Sequence, residues 1–261
     1  MKRLGRLVSW HWHLVRRPFM LLCGVYGAQQ MALLLLSAAR KETLGMQMAD
    51  LFMGCGQLPL FFVTLYLVLL TAASATRSGG RSHMMYTLHT MPFSRLLFPA
   101  AQILLSLLLQ IIFTAWQVVL YTVFYFPVTA LSGRVAVGLV SGTLPAGSLF
   151  EEINANPLFQ MLLPVRGGSW IWVIGFMLLL SIQSACIACC RGFRRAAAMF
   201  LAMVTAGVGA GSLYLRYYIE TNKAWESGVN LLLLLILGAA VLPALLNLGS
   251  ALWALYRAEK L

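Results

Sequence analysis

The order of apolar and polar residues along the chain is dominated by six long apolar runs. A helix needs about 20 apolar residues to cross the hydrocarbon core of a bilayer. The runs that meet this requirement cover residues 18–39, 51–75, 96–126, 169–190, 196–217 and 229–255. They predict an all-α polytopic membrane protein, with six transmembrane helices in a single domain that occupies residues 1–261. The composition agrees: 61% of the residues are hydrophobic, 10% are charged and the mean hydropathy is +0.83.

Residues 2–17, which precede the first apolar run, have the pattern of an amphipathic helix. At about 100° per residue, the basic side chains share one face and the apolar side chains share the other. The apolar face contains Leu4, Leu7, Val8, His11, Trp12, Leu14 and Val15. This pattern is typical of a helix in the membrane interface, where we expect Leu4, Leu7, Val8, Trp12 and Val15 to seat it. Pro18 is expected to break the helix and turn the chain into the bilayer.

A cleaved signal peptide is the alternative interpretation of this N-terminal region, with Ser37-Ala38-Ala39 as the cleavage site. The apolar region is too long for a signal peptide, and Gln29-Gln30 interrupts it. The pattern therefore favours an interfacial helix, residues 2–17, followed by the first membrane span.

The distribution of charge predicts the topology. The net charge of +12 could suggest nucleic-acid binding, but with the N-terminus inside, the predicted cytoplasmic segments hold thirteen basic residues and one acidic residue. The predicted outer segments hold six of each. This asymmetry follows the positive-inside rule and places both termini in the cytoplasm. Residues 127–168 are then an outer loop with one or two interfacial or re-entrant half-helices, because a span there would move Arg191, Arg194 and Arg195 outside.

The polar segment 76–95 connects the second and third runs on the cytoplasmic side. Ser82 can cap a short helix over about 83–90, and Pro92 disfavours helical geometry at Met91. A turn of a few residues would be enough to join two membrane helices. The segment therefore predicts a short helix that is presented to a soluble partner.

Within this segment, the run Tyr86-Thr87-Leu88-His89-Thr90-Met91-Pro92-Phe93-Ser94-Arg95 resembles the intracellular loop of permease subunits of type 2 ATP-binding-cassette (ABC) exporters. His89 stands where that family more often has an aliphatic residue. The resemblance covers about ten residues by motif, and the rest of the chain by architecture. The competing interpretation is an ordinary basic loop that faces water.

The resemblance implies a coupling helix that docks into a cleft of a separate ATPase subunit. The residues that it assigns to this contact are Ser82, Tyr86, Leu88, His89, Met91, Pro92 and Arg95. It also implies a homo- or heterodimer of six-helix permease subunits in a bacterial plasma membrane, with one ATPase docked on each. ATP and Mg²⁺ would be bound by the ATPase, with no cofactor in this chain.

The sequence lacks the groups that would let the chain drive transport by itself, as expected of a permease that is powered by a separate ATPase. No ionisable residue lies clearly within a span, although ion-driven transporters usually need such groups. The chain contains no G-x-x-x-x-G-K-[ST] phosphate-binding loop. We therefore predict that it is not an enzyme by itself, and we predict no catalytic or metal-binding residue. The alternatives are a non-transporting membrane scaffold or assembly protein and, least favoured, an intramembrane enzyme. Such an enzyme would need acidic and histidine side chains at one site, but Glu151-Glu152 is predicted on the side opposite to all four histidines. The acidic pair is better explained as a solvated or helix-starting pair.

Polar and small residues inside the spans have two interpretations each. The span amides either form hydrogen bonds between helices, which is the commoner role, or line a substrate path. They are Gln29, Gln30, Gln57, Gln102, Gln110, Gln117, Gln183, Asn230 and Asn247. Gly207 and Gly211 have the spacing of a close helix contact, either between subunits or within the chain. The five cysteines all lie in apolar runs, and Cys186-x-x-Cys189 is only half of a metal site.

The topology can be tested with single cysteines at Ser141, in the predicted outer loop, and at Ser82, in the predicted cytoplasmic loop. An impermeant thiol reagent applied to intact cells should label position 141 and leave position 82 unlabelled until the cells are opened. Labelling at position 82 in intact cells, or no labelling at position 141, would contradict the orientation derived from the charges.

Overall fold

The computed structural model describes residues 2–40, 47–74, 97–131, 149–164, 170–190 and 192–222, together with residues 242, 245, 246 and 249. This described part is helical, without a strand. Its helices are α1 (Lys2–Ala38), α2 (Met48–Gly54), α3 (Gln57–Ser74), α4 (Leu97–Leu131), α5 (Leu149–Ala155), α6 (Pro157–Leu162), α7 (Trp170–Cys189) and α8 (Phe193–Asn222).

Five helices of the described residues, α1, α3, α4, α7 and α8, are long and apolar enough to cross a membrane. The prediction of an all-helical, multi-pass membrane protein is confirmed at this level. Most of the predicted sixth span, 229–255, lies outside the described residues. The total of six spans and the orientation of the termini therefore stay predictions.

Helix α1 corrects the expectation of a break at Pro18. It runs without interruption for 37 residues, with Pro18 inside it. Proline lacks the N–H that would bond to the carbonyl four residues earlier, so α1 continues through the loss of one backbone hydrogen bond. At 1.5 Å per residue the helix is roughly 55 Å long, against about 30 Å for the hydrocarbon core of a bilayer. The amphipathic N-terminal segment and the first apolar run thus share one helix.

Two further boundaries differ from the apolar runs. The predicted span 51–75 is divided between α2 and α3, because Gly56 has a φ of 68°, a left-handed conformation that glycine adopts without a steric penalty. Helix α4 continues through Pro127 to Leu131 and so extends beyond the predicted limit at residue 126.

Helix α4 is the centre of the described bundle and packs against α1, α3 and α7, while α7 also packs against α8. Three rings mark the junction of α1, α3 and α4. The ring centroids of Tyr26 and Phe113 are 5.2 Å apart, and those of Phe113 and Phe61 are 5.3 Å apart. All three residues are buried, so this aromatic junction fixes the relative height of the three helices.

Two glycines allow close approach between helices. A Cβ on Gly27 of α1 would lie 3.2 Å from Leu120 Cδ2 of α4. A Cβ on Gly209 of α8 would collide with the ring of Phe176 on α7. Larger side chains at these positions would push the paired helices apart.

Two short helices, α5 and α6, lie within the predicted outer loop 127–168. Asn156 caps α6, since its side-chain Oδ1 accepts a hydrogen bond of 2.9 Å from the backbone N–H of Leu158. Leu158 and Phe159 of α6 are buried in the hydrophobic core. Neither helix is long enough to span a bilayer, and their location on the outer side stays a prediction.

Candidate functional site

The predicted ATPase-coupling residues belong to the loop between α3 and α4. Ser82, Tyr86, Leu88, His89, Met91, Pro92 and Arg95 all lie outside the described residues. The structure does describe the two helix ends that flank the loop, Ser74 at the end of α3 and Leu97 at the start of α4.

The helix ends that flank the loop are bonded to each other and to two other helices. Gln102 Nε2 of α4 donates to the carbonyl of Ala72 on α3 at 2.7 Å and to Ser184 Oγ on α7 at 3.1 Å. Arg195 Nη2, at the start of α8, donates to the carbonyl of Ala73 at 3.5 Å. A displacement of the loop would therefore act directly on contacts with α7 and α8.

The N-terminal segment of α1 also meets this end of the bundle. The imidazole of His11 packs edge-on against the ring of Phe98, with centroids 5.5 Å apart. His11 is fully buried, and neither ring nitrogen has a hydrogen-bond partner among the described residues. The predicted coupling loop is thus flanked by the start of α4 and by the amphipathic segment packed on it.

The amphipathic pattern of this segment corresponds to two different environments. Leu7 and Val15 on the apolar face are buried, and Leu4, Val8 and Trp12 are half-buried. The basic face is exposed at Arg6, Arg16 and Arg17. The centre of the apolar face therefore packs on the protein, and contact of its half-buried flanks with the membrane interface stays a prediction.

Three of the span glutamines form the interhelical hydrogen bonds that were one of their two interpretations. In addition to Gln102, Gln110 Nε2 of α4 donates to Ser181 Oγ of α7 at 3.0 Å. Gln183 Nε2 of α7 donates to Thr205 Oγ1 of α8 at 3.1 Å. These bonds join α3, α4, α7 and α8 within the interior of the bundle.

Three other glutamines, Gln30 of α1, Gln57 of α3 and Gln117 of α4, behave differently, and we call them the glutamine cluster. All three have 0% exposure. None of their side-chain nitrogen and oxygen atoms has a hydrogen-bond partner in the described part of the chain. An unsatisfied buried polar group costs about 1–3 kcal/mol, so the cluster is expensive to bury. By contrast, the neighbouring Gln29 is exposed.

The aromatic junction places these glutamines at one level. Gln30 follows Tyr26 by one helical turn, Gln57 precedes Phe61 by one turn, and Gln117 follows Phe113 by one turn. Because α3 is predicted to run against α1 and α4, all three steps lead toward the same end of the bundle. Under the predicted topology this is the outer end. The hydroxyl of Tyr26, on the same face, also lacks a partner among the described residues.

A second aromatic group lies one turn farther along α4. The ring of Tyr121 is 5.8 Å from that of Phe52 on α2 and 5.1 Å from that of Phe159 on α6. Its hydroxyl donates to the backbone carbonyl of Glu152 at 3.4 Å. Glu152 Oε2 accepts a hydrogen bond of 3.3 Å from the backbone N–H of Ala49. The short helices therefore close this end of the bundle above the glutamine cluster.

Three titratable residues are buried in ways that bear on the predictions. Glu152 is only 2% exposed, so its interpretation as a solvated residue is wrong, although it does lie in the first turn of α5. Arg216, counted among the outer charges, is buried near the end of α8. Burial of His11 agrees with its position on the apolar face of the helical pattern. No comparable sequence signal exists for Glu152, whose partners are distant along the chain.

Two further predictions concern cysteines and glycines. None of the five cysteines is in a disulfide, and the described residues contain no group of three His, Cys, Asp or Glu side chains that could hold a metal ion. Gly207 and Gly211 are exposed. In the described structure nothing lies within 4 Å of a Cβ placed on either of them, so the glycine of α8 that serves intrachain packing is Gly209.

Comparisons with family models, with curated proteins and with solved structures give no match for this chain. The functional interpretation therefore depends on the residues themselves.

The packing of the N-terminal segment predicts the effect of charge on its apolar face. Changing Leu7 and Trp12 together to Glu should reduce assembly of the protein, because burying each apolar side chain contributes roughly 1.5–3 kcal/mol and a carboxylate is costly to bury. The measurement is the yield of monodisperse protein by size-exclusion chromatography after extraction from membranes.

The matched control changes Ser9 and His13, on the exposed face of the same segment, to Glu. This variant should assemble like the wild type. Normal assembly of the Leu7 and Trp12 double variant would show that the apolar face does not seat the segment.

Proposed function

We propose that this chain is the membrane-spanning permease subunit of an ATP-driven exporter of the type 2 ABC class. The observation that carries the proposal is the string Tyr86–Arg95, in a segment between two membrane helices of a chain without a nucleotide-binding loop. Energy for transport would come from ATP hydrolysis in a separate ATPase subunit docked on this segment. The expected location is a bacterial plasma membrane.

The contacts at the flanks of the segment support this role. An ATPase that moves the 76–95 loop would displace the end of α3 and the start of α4. Gln102 links these two helices to each other and to α7, and Arg195 links α3 to α8. Movement of the loop would thus be transmitted to four helices through hydrogen bonds, and no ionisable group in the membrane is needed to supply the energy.

The proposed permease works as a homo- or heterodimer. Support comes from Gly207 and Gly211, which form a small-residue stripe on the exposed side of α8. Such a stripe lets two helices approach closely. Because Gly209 already faces α7 within the chain, Gly207 and Gly211 are left for a second subunit.

The ATPase contact can be tested by changing Tyr86 and Leu88 together to Asp. Aromatic and apolar anchors dominate interface energies, so the variant should lose binding of the ATPase and the permease-dependent stimulation of ATP hydrolysis. Expression and membrane insertion should be unchanged, because both residues lie outside the predicted spans. The measurement is a pull-down of co-expressed cassette ATPase with the tagged permease in nanodiscs, followed by an ATPase assay.

The control introduces the same two charges at Thr87 and Thr90 of the predicted helix, which are not assigned to the contact, and should retain binding. Undiminished binding and hydrolysis in the Tyr86 and Leu88 variant would remove the loop from the mechanism. Failure of the wild type to retain any cassette ATPase would remove the exporter proposal and favour a non-transporting scaffold.

A further inference from the structure

The glutamine cluster has hydrogen-bonding capacity that the fold does not use. Gln30, Gln57 and Gln117 are fully buried, and both polar atoms of each side chain lack partners among the described residues. The hydroxyl of Tyr26 adds a further unpartnered group beside them. Seven polar atoms from three helices are therefore shielded from water and have no hydrogen-bond partner in the described structure.

Seven of the twelve unpartnered buried side-chain atoms of the described residues belong to these four residues, and the aromatic junction places them at one level of the bundle. Tyr26 and Phe61 both contact Phe113, and each member of the glutamine cluster lies one turn from one of these rings on the same helix face. A helical turn is about 5.4 Å, so the cluster forms the layer next to the aromatic junction. Gly27, between Tyr26 and Gln30, draws α1 close to α4 at this height.

The chemistry of the layer selects a type of ligand. A primary amide offers two N–H donors and one carbonyl acceptor, so three glutamines suit a group that both donates and accepts hydrogen bonds. The side chains of the two layers carry no charge at neutral pH. They are Tyr26, Gln30, Gln57, Phe61, Phe113 and Gln117. An ionic ligand would thus be desolvated without a counter-charge from these layers.

We propose that the glutamine cluster is a binding site for a neutral polar group, an amide or a hydroxyl, stacked against the aromatic junction. Its composition, aromatic rings beside a few polar side chains, is that of small-molecule sites in proteins. The proposed transport function is needed only to identify the bound molecule as cargo. Binding itself is a property of this chain alone.

The interhelical glutamines give a contrast within the same helices. Gln110 is as buried as Gln117 and lies two turns away on α4. Its Oε1 also lacks a partner among the described residues, but its Nε2 is engaged by Ser181 and Ser106. A ligand at the level of Gln110 would have to break these bonds, whereas a ligand at the glutamine cluster breaks none within the described structure. Gln110 is therefore the matched control position.

The test uses full-length permease in nanodiscs, without an ATPase, in a background from which the five native cysteines have been removed. Single cysteines replace Gln57 (Gln57→Cys) or Gln110 (Gln110→Cys), and the rate of modification by the small neutral reagent methyl methanethiosulfonate is measured. The probes are N-acetylglycinamide, which is a neutral amide, and N-acetylglycine, which is its anionic analogue of similar size.

We expect Gln57→Cys to be modified faster than Gln110→Cys. N-acetylglycinamide at ten times its dissociation constant should slow the modification of Gln57→Cys about tenfold, because only the unliganded fraction reacts. N-acetylglycine should give no protection. Changing Gln30 and Gln117 to Leu in the same protein should abolish protection by the amide.

Three outcomes would overturn the proposal: equal rates at the two positions, fast modification without protection by the amide, which indicates a site for water only, or equal protection by the anion. If Gln57→Cys is not monodisperse, Gln117→Cys replaces it in the same assay. The protection assay contains no ATPase, so its result is independent of the pull-down. If the amide protects Gln57→Cys but the wild type retains no ATPase in the pull-down, the binding site is supported and the exporter proposal fails.

Discussion

The structure depends on satisfying polar groups within an apolar helical bundle. A buried amide without a hydrogen-bond partner is costly, and inside a bilayer no bulk water is present to supply one. Gln102, Gln110 and Gln183 meet this requirement through their amide nitrogens, each of which donates across a helix interface, while the Oε1 atoms of Gln102 and Gln110 have no partner among the described residues. Their partners lie on α3, α7 and α8, so these three side chains also fix how the helices are arranged around α4. Apolar packing alone would leave the rotation of each helix less strictly defined.

Helix α4 shows both uses of a buried amide along one face. Gln102, Gln110 and Gln117 are each fully buried. Gln102 and Gln110 bond to neighbouring helices. Gln117 lies at the level of Gln30 and Gln57, and its side chain has no hydrogen-bond partner among the described residues. Local rules are broken in proteins mainly where function requires it. The contrast along α4 therefore separates amides that hold neighbouring helices from one whose hydrogen-bonding groups the described fold does not use, which is the basis of the proposed ligand site.

Much of the fold follows from the sequence, since long apolar runs and the amphipathic N-terminus predict the major helices. The boundaries follow less well. The pattern predicts a break at Pro18, but α1 passes through it, because one lost backbone bond is outweighed by the packing of residues on both sides, such as Val15 and Phe19. The division at Gly56 depends on a backbone angle that hydropathy does not report.

The candidate sites were predictable only in part. The sequence identifies the span glutamines but not their two roles, because Ser184 and Ser181 are 82 and 71 residues from the glutamines they bond. Burial of Glu152 likewise depends on the N–H of Ala49, 103 residues away. The coupling loop was predicted from a local motif alone. The contacts of the helix ends that flank it join residues distant along the chain, so the sequence did not indicate them.

The most direct test of the difference between helix-bonding and unpartnered glutamines compares the midpoint temperatures of thermal unfolding of Gln102→Leu and Gln57→Leu, both in the same nanodiscs. Gln102→Leu should lower the midpoint, because Ala72 and Ser184 lose their partner, a cost of about 1 kcal/mol. Gln57→Leu should keep or raise the midpoint, because it removes an unsatisfied polar group from the core. Equal destabilisation by the two variants would contradict the account, since it would mean that Gln57 maintains the fold as Gln102 does.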